Sequence, residues 1–316
     1  MSKQPIINLI SGGAGFIGSH VTDYLISRGE YVICLDDFSS GLKENIYHLR
    51  NHKRFKVLEE NILFPIDLKV DRIWHLACPA SPKYYYKNSI ETSRVCFLGT
   101  YNMLELARKN KCKLLFTSSS EIYGNSEFLE QEEIHNGNVN TQSIRSSYAE
   151  GKRIAENLCF QYKNIYNLDI KIARIFNTYG PKIKLNDGRV ISSFFKSFLN
   201  NKPFEIFGDG TQTRSFCYVS DLVNALYLYM DNDENGVINL GNNEEIRITD
   251  LASLINKITN KDNGVVFRKF VENEPLRRKP SIELARKKLN WCPKIELRDG
   301  LKLTLDYFKK NNKFGL

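Results

Sequence analysis

Tyr148 and Lys152 stand four residues apart in Tyr148-Ala149-Glu150-Gly151-Lys152, a spacing that puts both side chains on one face of a helix. A free phenol has a pKa of about 10, too high for a base at neutral pH, and a neighbouring ammonium together with a nicotinamide cation favours the phenolate. Such a pair can take a proton from an alcohol. Upstream runs Gly12-Gly13-Ala14-Gly15-Phe16-Ile17-Gly18. Gly12 permits a tight turn, Gly15 lets the backbone approach a pyrophosphate, and Gly18 lets a helix pack closely, with phosphate at the helix N-terminus. Further on is Asp36-Asp37. A carboxylate about 20 residues after the glycines accepts a ribose 2′-hydroxyl and repels a 2′-phosphate, which favours NAD over NADP. A third stretch, Thr117-Ser118-Ser119-Ser120-Glu121-Ile122-Tyr123-Gly124, places Ser119 where it can bond a reacting hydroxyl and Glu121 beside it. Taken together these residues point to redox chemistry on an alcohol. Taken singly, each has a plainer reading: a half-buried Tyr beside a solvated Lys, an acidic strand-end turn, a serine loop cap.

Positioning these groups requires a sheet. Strand-like runs at 6–11, 31–36, 55–58, 72–76, 113–118 and 170–174 alternate with helical patterns at 16–28, 92–109 and 149–166. That alternation predicts an α/β fold, a Rossmann-type doubly wound parallel sheet with helices on both faces. The glycine turn then lies between the first strand and first helix, and Ser119 at the carboxyl end of the fifth strand, where open sheets hold ligands. On the last of those helices Ile154, Leu158 and Tyr162 recur at helical spacing beside Ala155 and Cys159, which reads as core. Beyond Arg174 come loops rich in Gly, Asn, Asp and Pro, as in Gly180-Pro181, Asn186-Asp187-Gly188 and Gly208-Asp209-Gly210. A helix at 220–230 and a strand at 237–240 return to the sheet; 251–258 and 282–289 read as short amphipathic helices. The expected division is an NAD-binding domain over 1–178 with 216–243, and a smaller mixed α/β substrate domain over 179–215 and 244–316.

At 316 residues and 42% hydrophobic content the chain can bury a sizeable core. Its net charge of +9 is scattered among 36 acidic residues with no basic block interleaved with aromatics, so nucleic acid is not expected as a partner, and the surplus gives a mild attraction for small anions. Seven cysteines, widely spaced and without a C-x-x-C pair, read as reduced thiols in a cytoplasmic protein. Five histidines fall in no ligand spacing, so no metal is expected. No apolar run approaches the roughly 20 residues of a membrane helix.

Longer stretches carry a resemblance: His75-Leu76-Ala77-Cys78-Pro79-Ala80-Ser81-Pro82, Gly137-Asn138-Val139-Asn140, Glu150-Gly151-Lys152-Arg153, Arg174-Ile175-Phe176-Asn177-Thr178-Tyr179-Gly180-Pro181, Asp187-Gly188-Arg189-Val190, Gly208 through Phe216, and Arg278-Lys279-Pro280. From the glycine turn to Trp291 the chain resembles the extended short-chain dehydrogenase/reductases, and among them the UDP-glucuronate decarboxylase family. The resemblance implies that Ser119 and Tyr148 bind the reacting oxygen, that Ser120 and Glu121 assist loss of CO₂, that Lys152 bonds the nicotinamide ribose, and that Arg278 acts near the carboxylate or the protonated carbon. It adds Phe16, Ile17, Phe38, Ser39, Ile62, Leu76, Cys78, Val95, Thr117 and Thr178 around NAD. Asn177, Arg189 and Arg214, with Arg278, then line the nucleotide-sugar pocket, where guanidiniums suit phosphate oxygens. A homodimer through the helices at 92–109 and 149–166 is implied as well.

The chain departs from the family at four places. Asn61 stands for an aspartate near the adenine, Ser119 for a threonine, Cys96 for an asparagine, and Ser281 for the aspartate of R-K-P-D. The implied activity is oxidation of UDP-glucuronate at carbon 4, decarboxylation and re-reduction to UDP-xylose. The alternatives are a nucleotide-sugar 4,6-dehydratase, which needs an acid where Ser120 stands, and an oxidative decarboxylase that releases the keto sugar, since R-K-P-S resembles that related domain. A 4-epimerase has no need of Glu121, and a cofactor sensor without activity has no need of an intact Ser119, Tyr148 and Lys152.

Overall fold

The structure is a computed structural model and describes residues 5–143, 145–269 and 276–311. Six strands alternate with helices through the first half: β1 (Ile7–Ser11), α1 (Phe16–Ser27), β2 (Tyr31–Leu35), β3 (Phe55–Leu58), β4 (Arg72–His75), α2 (Pro82–Lys87), α3 (Ser89–Arg94), α4 (Thr100–Asn110), β5 (Lys113–Ser119), α5 (Ser146–Tyr166) and β6 (Ile170–Ile175). With the edge strand Gly236–Leu240 they form one seven-stranded sheet, parallel throughout, in the order edge strand, β6, β5, β4, β1, β2, β3. The expected doubly wound sheet is the one observed.

Side chains alternate across this sheet, and both faces are covered, as parallel strands require. Ile10, Trp74, Leu115 and Ala173 face α1 and α7 (Val219–Asp231). Their neighbours Leu9, Ile73, Leu114, Phe116 and Ile172 face the other way, against Met103, Leu104 and Ala107 of α4 and Ala155 and Cys159 of α5. The chain leaves β3 at one edge and re-enters as β4 beside β1, so the strand order reverses between β1 and β4. A crevice opens there at the carboxyl ends.

The helix expected over 92–109 is interrupted: α3 gives way to a π-helical turn at Val95–Gly99 before α4 begins. In the second half the structure has more order than the loop-rich sequence predicts. Helices α6 (Val190–Leu199), α8 (Ile248–Thr259) and α10 (Leu297–Asn311) enclose a separate core with Phe194, Phe195, Phe204, Ile206, Leu251, Ile255, Leu301 and Leu305. Helix α9 (Glu283–Leu289) instead packs Ala285 and Leu289 into the core shared with α7. A three-stranded ribbon of Glu245–Arg247, Thr213–Ser215 and Arg277–Arg278 sets Arg278 directly beside Arg214. Residues 270–275 and 312–316 of the expected second domain lie outside the described residues. Among those described, no helix is long and apolar enough to cross a membrane.

Candidate active site

The crevice, of about 1020 Å³, runs from the glycine turn to the three-stranded ribbon. That exceeds a typical small-molecule pocket and gives room for two ligands. At one end Gly12 adopts φ +76°, a left-handed conformation, and a Cβ there would meet the Ala77 backbone at 2.8 Å. Gly18 lies so close beneath that its Cβ would sit 2.0 Å from the Gly12 carbonyl oxygen. Gly15 caps α1 with no side chain bonded to the first turn, leaving N–H groups aimed into the crevice for a phosphate.

At the end of β2, Asp36 is buried and accepts bonds from the Ala14 and Phe38 N–H groups, both 2.9 Å. Burial raises its carboxyl pKa, with these two bonds opposing. Asp37 is exposed and accepts from Ser39 and from Asn61 Nδ2 at 2.8 Å, so the asparagine that stands for an expected aspartate is tied to the second carboxylate. Backbone donors of the glycine turn and two carboxylates at the end of β2, lining the same crevice, fit a dinucleotide without a 2′-phosphate.

The reacting end is built on β5 and α5. Lys152 is buried, donates from Nζ to the Thr117 carbonyl at 2.7 Å, and lies 5.9 Å from the Tyr148 ring centroid. Tyr148 stacks on Tyr85 of α2, with centroids 5.3 Å apart and planes 7° from parallel. Its phenol is displaced above an ordinary tyrosine. Burial pushes it well up, the Cys78 sulfur adds to this, and a hydrogen bond with Ser119 pulls the other way. The Ser119 hydrogen bond lowers the phenol, and the cation of a seated cofactor would lower it further.

Beyond Ser119 the chain makes a 3-10 turn, Ser120–Tyr123, begun by the Glu121 N–H bonding to Ser119 Oγ at 3.2 Å. Its base is held by Arg174, which donates to Tyr123 Oη at 2.9 Å and to Glu156 at 2.8 Å. The turn aims Glu121 at two guanidiniums. Arg278 Nη1 donates to Oε1 at 2.6 Å and Nη2 to Oε2 at 3.2 Å; Arg145 Nη2 reaches the same oxygens at 3.1 and 3.3 Å. Burial alone would raise this carboxyl, but Arg278 and then Arg145 override it and hold it at about 2. The two guanidiniums favour the Glu121 anion.

Of the residues expected at the site, all but Phe38 line this crevice. Phe38 turns its ring into a small cluster with Ala14, Cys34 and Ile46, because its own N–H is drawn back to Asp36 and its backbone takes φ 56°. Arg189 opens α6, paired with Asp187 at 2.9 Å and donating to the Ala80 carbonyl at 3.1 Å. Arg214 is buried beside Arg278, and Asn177 bonds the Ser215 carbonyl at 3.4 Å. Sequence reasoning missed Arg145 and Tyr85. Arg145 lies three residues before Tyr148, one turn away, and that spacing was the available signal. Tyr85 reaches Tyr148 only through tertiary packing.

The NAD dependent epimerase/dehydratase family profile matches residues 8–241. UDP-glucuronic acid decarboxylase 1 of Arabidopsis thaliana is 45% identical over 95% of this chain and 69% of its own length. UDP-glucuronic acid decarboxylase 1 of Xenopus tropicalis is 42% identical over 96% and 72%. Among solved structures, UDP-glucuronic acid 4-epimerase from Bacillus cereus, in complex with UDP-glucuronic acid and NAD, superposes with a TM-score of 0.88 at 30% identity over 97% of this chain and 100% of that one. The chain belongs to the NAD dependent epimerase/dehydratase family and, within it, to the UDP-glucuronic acid decarboxylases.

Proposed function

We propose that the protein converts UDP-glucuronate to UDP-xylose and CO₂, with NAD as a cofactor that is regenerated in each turnover. The observation that carries this reading is the ionised Glu121 between Arg278 and Arg145. A dehydratase must protonate a departing hydroxyl, and neither this anion nor the Ser120 hydroxyl is an acid at neutral pH. A uronate asks for no such acid. It asks for a cation, and Arg278 supplies one at the crevice.

NAD in the seat supplies a hydride acceptor for carbon 4 and, after CO₂ has left, the donor that restores it. Tyr148 takes the proton of the carbon-4 hydroxyl, with Ser119 bonded to the same oxygen and Lys152 holding the helix against Thr117. The resulting ketone lies β to the carboxylate, so when the bond from carbon 5 to the carboxyl carbon breaks, its electron pair moves onto the ketone oxygen. Ser119 and the protonated Tyr148 stabilise that enolate. Ser120 and the Glu121 anion face carbon 5, which takes up a proton from solvent, and Tyr148 returns its proton to the carbon-4 oxygen. Arg214, Arg189 and Asn177 hold the nucleotide end.

In this reading residues 1–178 with 216–243 seat the cofactor, and 179–215 with 244–316 bind the nucleotide sugar. Exposed apolar side chains on adjacent helices, Phe97 and Tyr101 near the start of α4 and Ile154 on α5, supply the face of a homodimer. The free thiols suit a cytoplasmic location. Incubation with UDP-glucuronate followed by chromatography tests the function: UDP-xylose supports it, UDP-galacturonate would assign an epimerase, and a UDP-linked 4-keto pentose with stoichiometric NADH an oxidative enzyme. Sedimentation as monomer alone would remove the dimer.

A further inference from the structure

Two thiols lie in contact on the wall between the crevice and the catalytic helix. Cys78, just past the end of β4, lines the crevice; Cys96 is buried in the π-helical turn Val95–Gly99. Their sulfurs are 3.2 Å apart. A disulfide holds its sulfurs about 2.05 Å apart, so closure needs about 1.1 Å of approach. That is within reach of side-chain rotation where one partner sits on a loop. On its other side Cys96 supports α5: a Cβ at Gly151 would fall 2.8 Å from Cys96 Cβ, so the helix carrying Tyr148 and Lys152 rests directly on this cysteine.

The two sulfurs are electrically unequal. Cys78 is lowered to about 7, chiefly by its hydrogen-bond contact with Cys96, against the upward push of burial and with help from the Lys152 charge. Cys96 is pushed well up, by the same contact and by burial. A lowered thiol at the crevice wall with a buried thiol touching it is the arrangement of an attacking and a resolving cysteine.

We infer that Cys78 and Cys96 are a thiol-modification site, in which Cys78 is oxidised by hydroperoxides and Cys96 resolves the product to a disulfide. The Cys78 thiolate attacks one oxygen of hydrogen peroxide, the O–O bond breaks, and the departing hydroxide takes a proton from solvent. Cys78 is then a sulfenic acid. The Cys96 sulfur attacks the Cys78 sulfur, the S–O bond breaks, and water leaves with the Cys96 proton. One peroxide is reduced to two waters as two thiols give up two electrons. Because Cys96 underlies Gly151, closing this bond pulls on the support of Tyr148 and Lys152. The oxidised form loses turnover, and a dithiol reductant restores it.

The test is treatment of the full chain with one equivalent of hydrogen peroxide, alkylation of remaining thiols after unfolding, proteolysis and mass spectrometry. The expected result is one linked peptide pair through Cys78 and Cys96, loss of two of the seven titratable thiols, and recovery of both by dithiothreitol. In Cys96→Ser the link disappears and Cys78 is trapped by dimedone as the sulfenic acid. Oxidation confined to the exposed Cys292, or linkage of any other pair, overturns the inference. A second measurement needs no variant: at neutral pH, native alkylation of Cys78 by a small iodoacetamide should outpace that of the unfolded chain's thiols at equal reagent, and a slower reaction overturns the proposal.

Discussion

Replacing Arg278 by Met keeps the volume of the side chain but removes the stronger of the two guanidiniums on Glu121. The carboxyl is held at about 2, against an ordinary value of 4.5, a preference for the ionised form of about 3 kcal/mol. Removing one partner of a buried pair costs about 3–5 kcal/mol when nothing replaces it, but Arg145 stays in place, so the expected loss of stability near neutral pH is about 2 kcal/mol. The sign follows from the direction of the shift. A carboxyl lowered in the folded state contributes stability above its unfolded value, and that contribution is lost as pH falls from 4.5 toward 2. The gap between the native protein and Arg278→Met should thus be widest at neutral pH and close through the acid range. Urea unfolding at a series of pH values, between about pH 3 and pH 8, reads this from the midpoints at constant slope. A gap that stays the same at every pH would refute the reasoning, because it would make the loss one of packing rather than of charge.

Tyr148→Phe should lower turnover by at least the roughly 10²–10⁴-fold that general acid–base catalysis contributes, with NAD affinity by titration little changed; unchanged turnover would take Tyr148 out of the mechanism. Gly18→Ala places a methyl 2.0 Å from the Gly12 carbonyl oxygen and should cost about 1–3 kcal/mol in unfolding experiments along with a weaker dinucleotide complex, since the displaced turn is the phosphate seat. Asp36→Ala leaves the Ala14 and Phe38 N–H groups without their acceptor, at about 1–3 kcal/mol, and should narrow the preference for NAD over NADP; an unchanged ratio would transfer that role to Asp37.

The first half of the chain was legible because its signals are local. Strands buried on both faces read as apolar runs, the glycine turn lies between one strand and one helix, and Tyr148 and Lys152 are a single helical turn apart. The second half was not. Strands of two to four residues such as Arg277–Arg278 become strands only by pairing with Thr213–Ser215, far away in sequence, and no local pattern announces that. Helix α6 hides behind adjacent serines and phenylalanines, and its N-cap carries no side-chain bond. At the site, the residue types were readable but the electrostatics were not. The pull of Ser119 on Tyr148, the grip of Arg145 on Glu121 and the contact of Cys78 with Cys96 all join separate segments. Burial reversed the direction expected for Tyr148, because spacing alone says nothing of how completely a phenol is withdrawn from water.

The central claim is that one pocket oxidises carbon 4, releases CO₂ and reduces the same carbon again. UDP-glucuronate carrying deuterium at carbon 4 tests this directly, by mass spectrometry and proton resonance of the product. The account predicts UDP-xylose that keeps deuterium at carbon 4, formed with one CO₂ and no accumulating NADH. Deuterium found on free NADH, or returned in a UDP-uronate with its carboxylate intact, would contradict it.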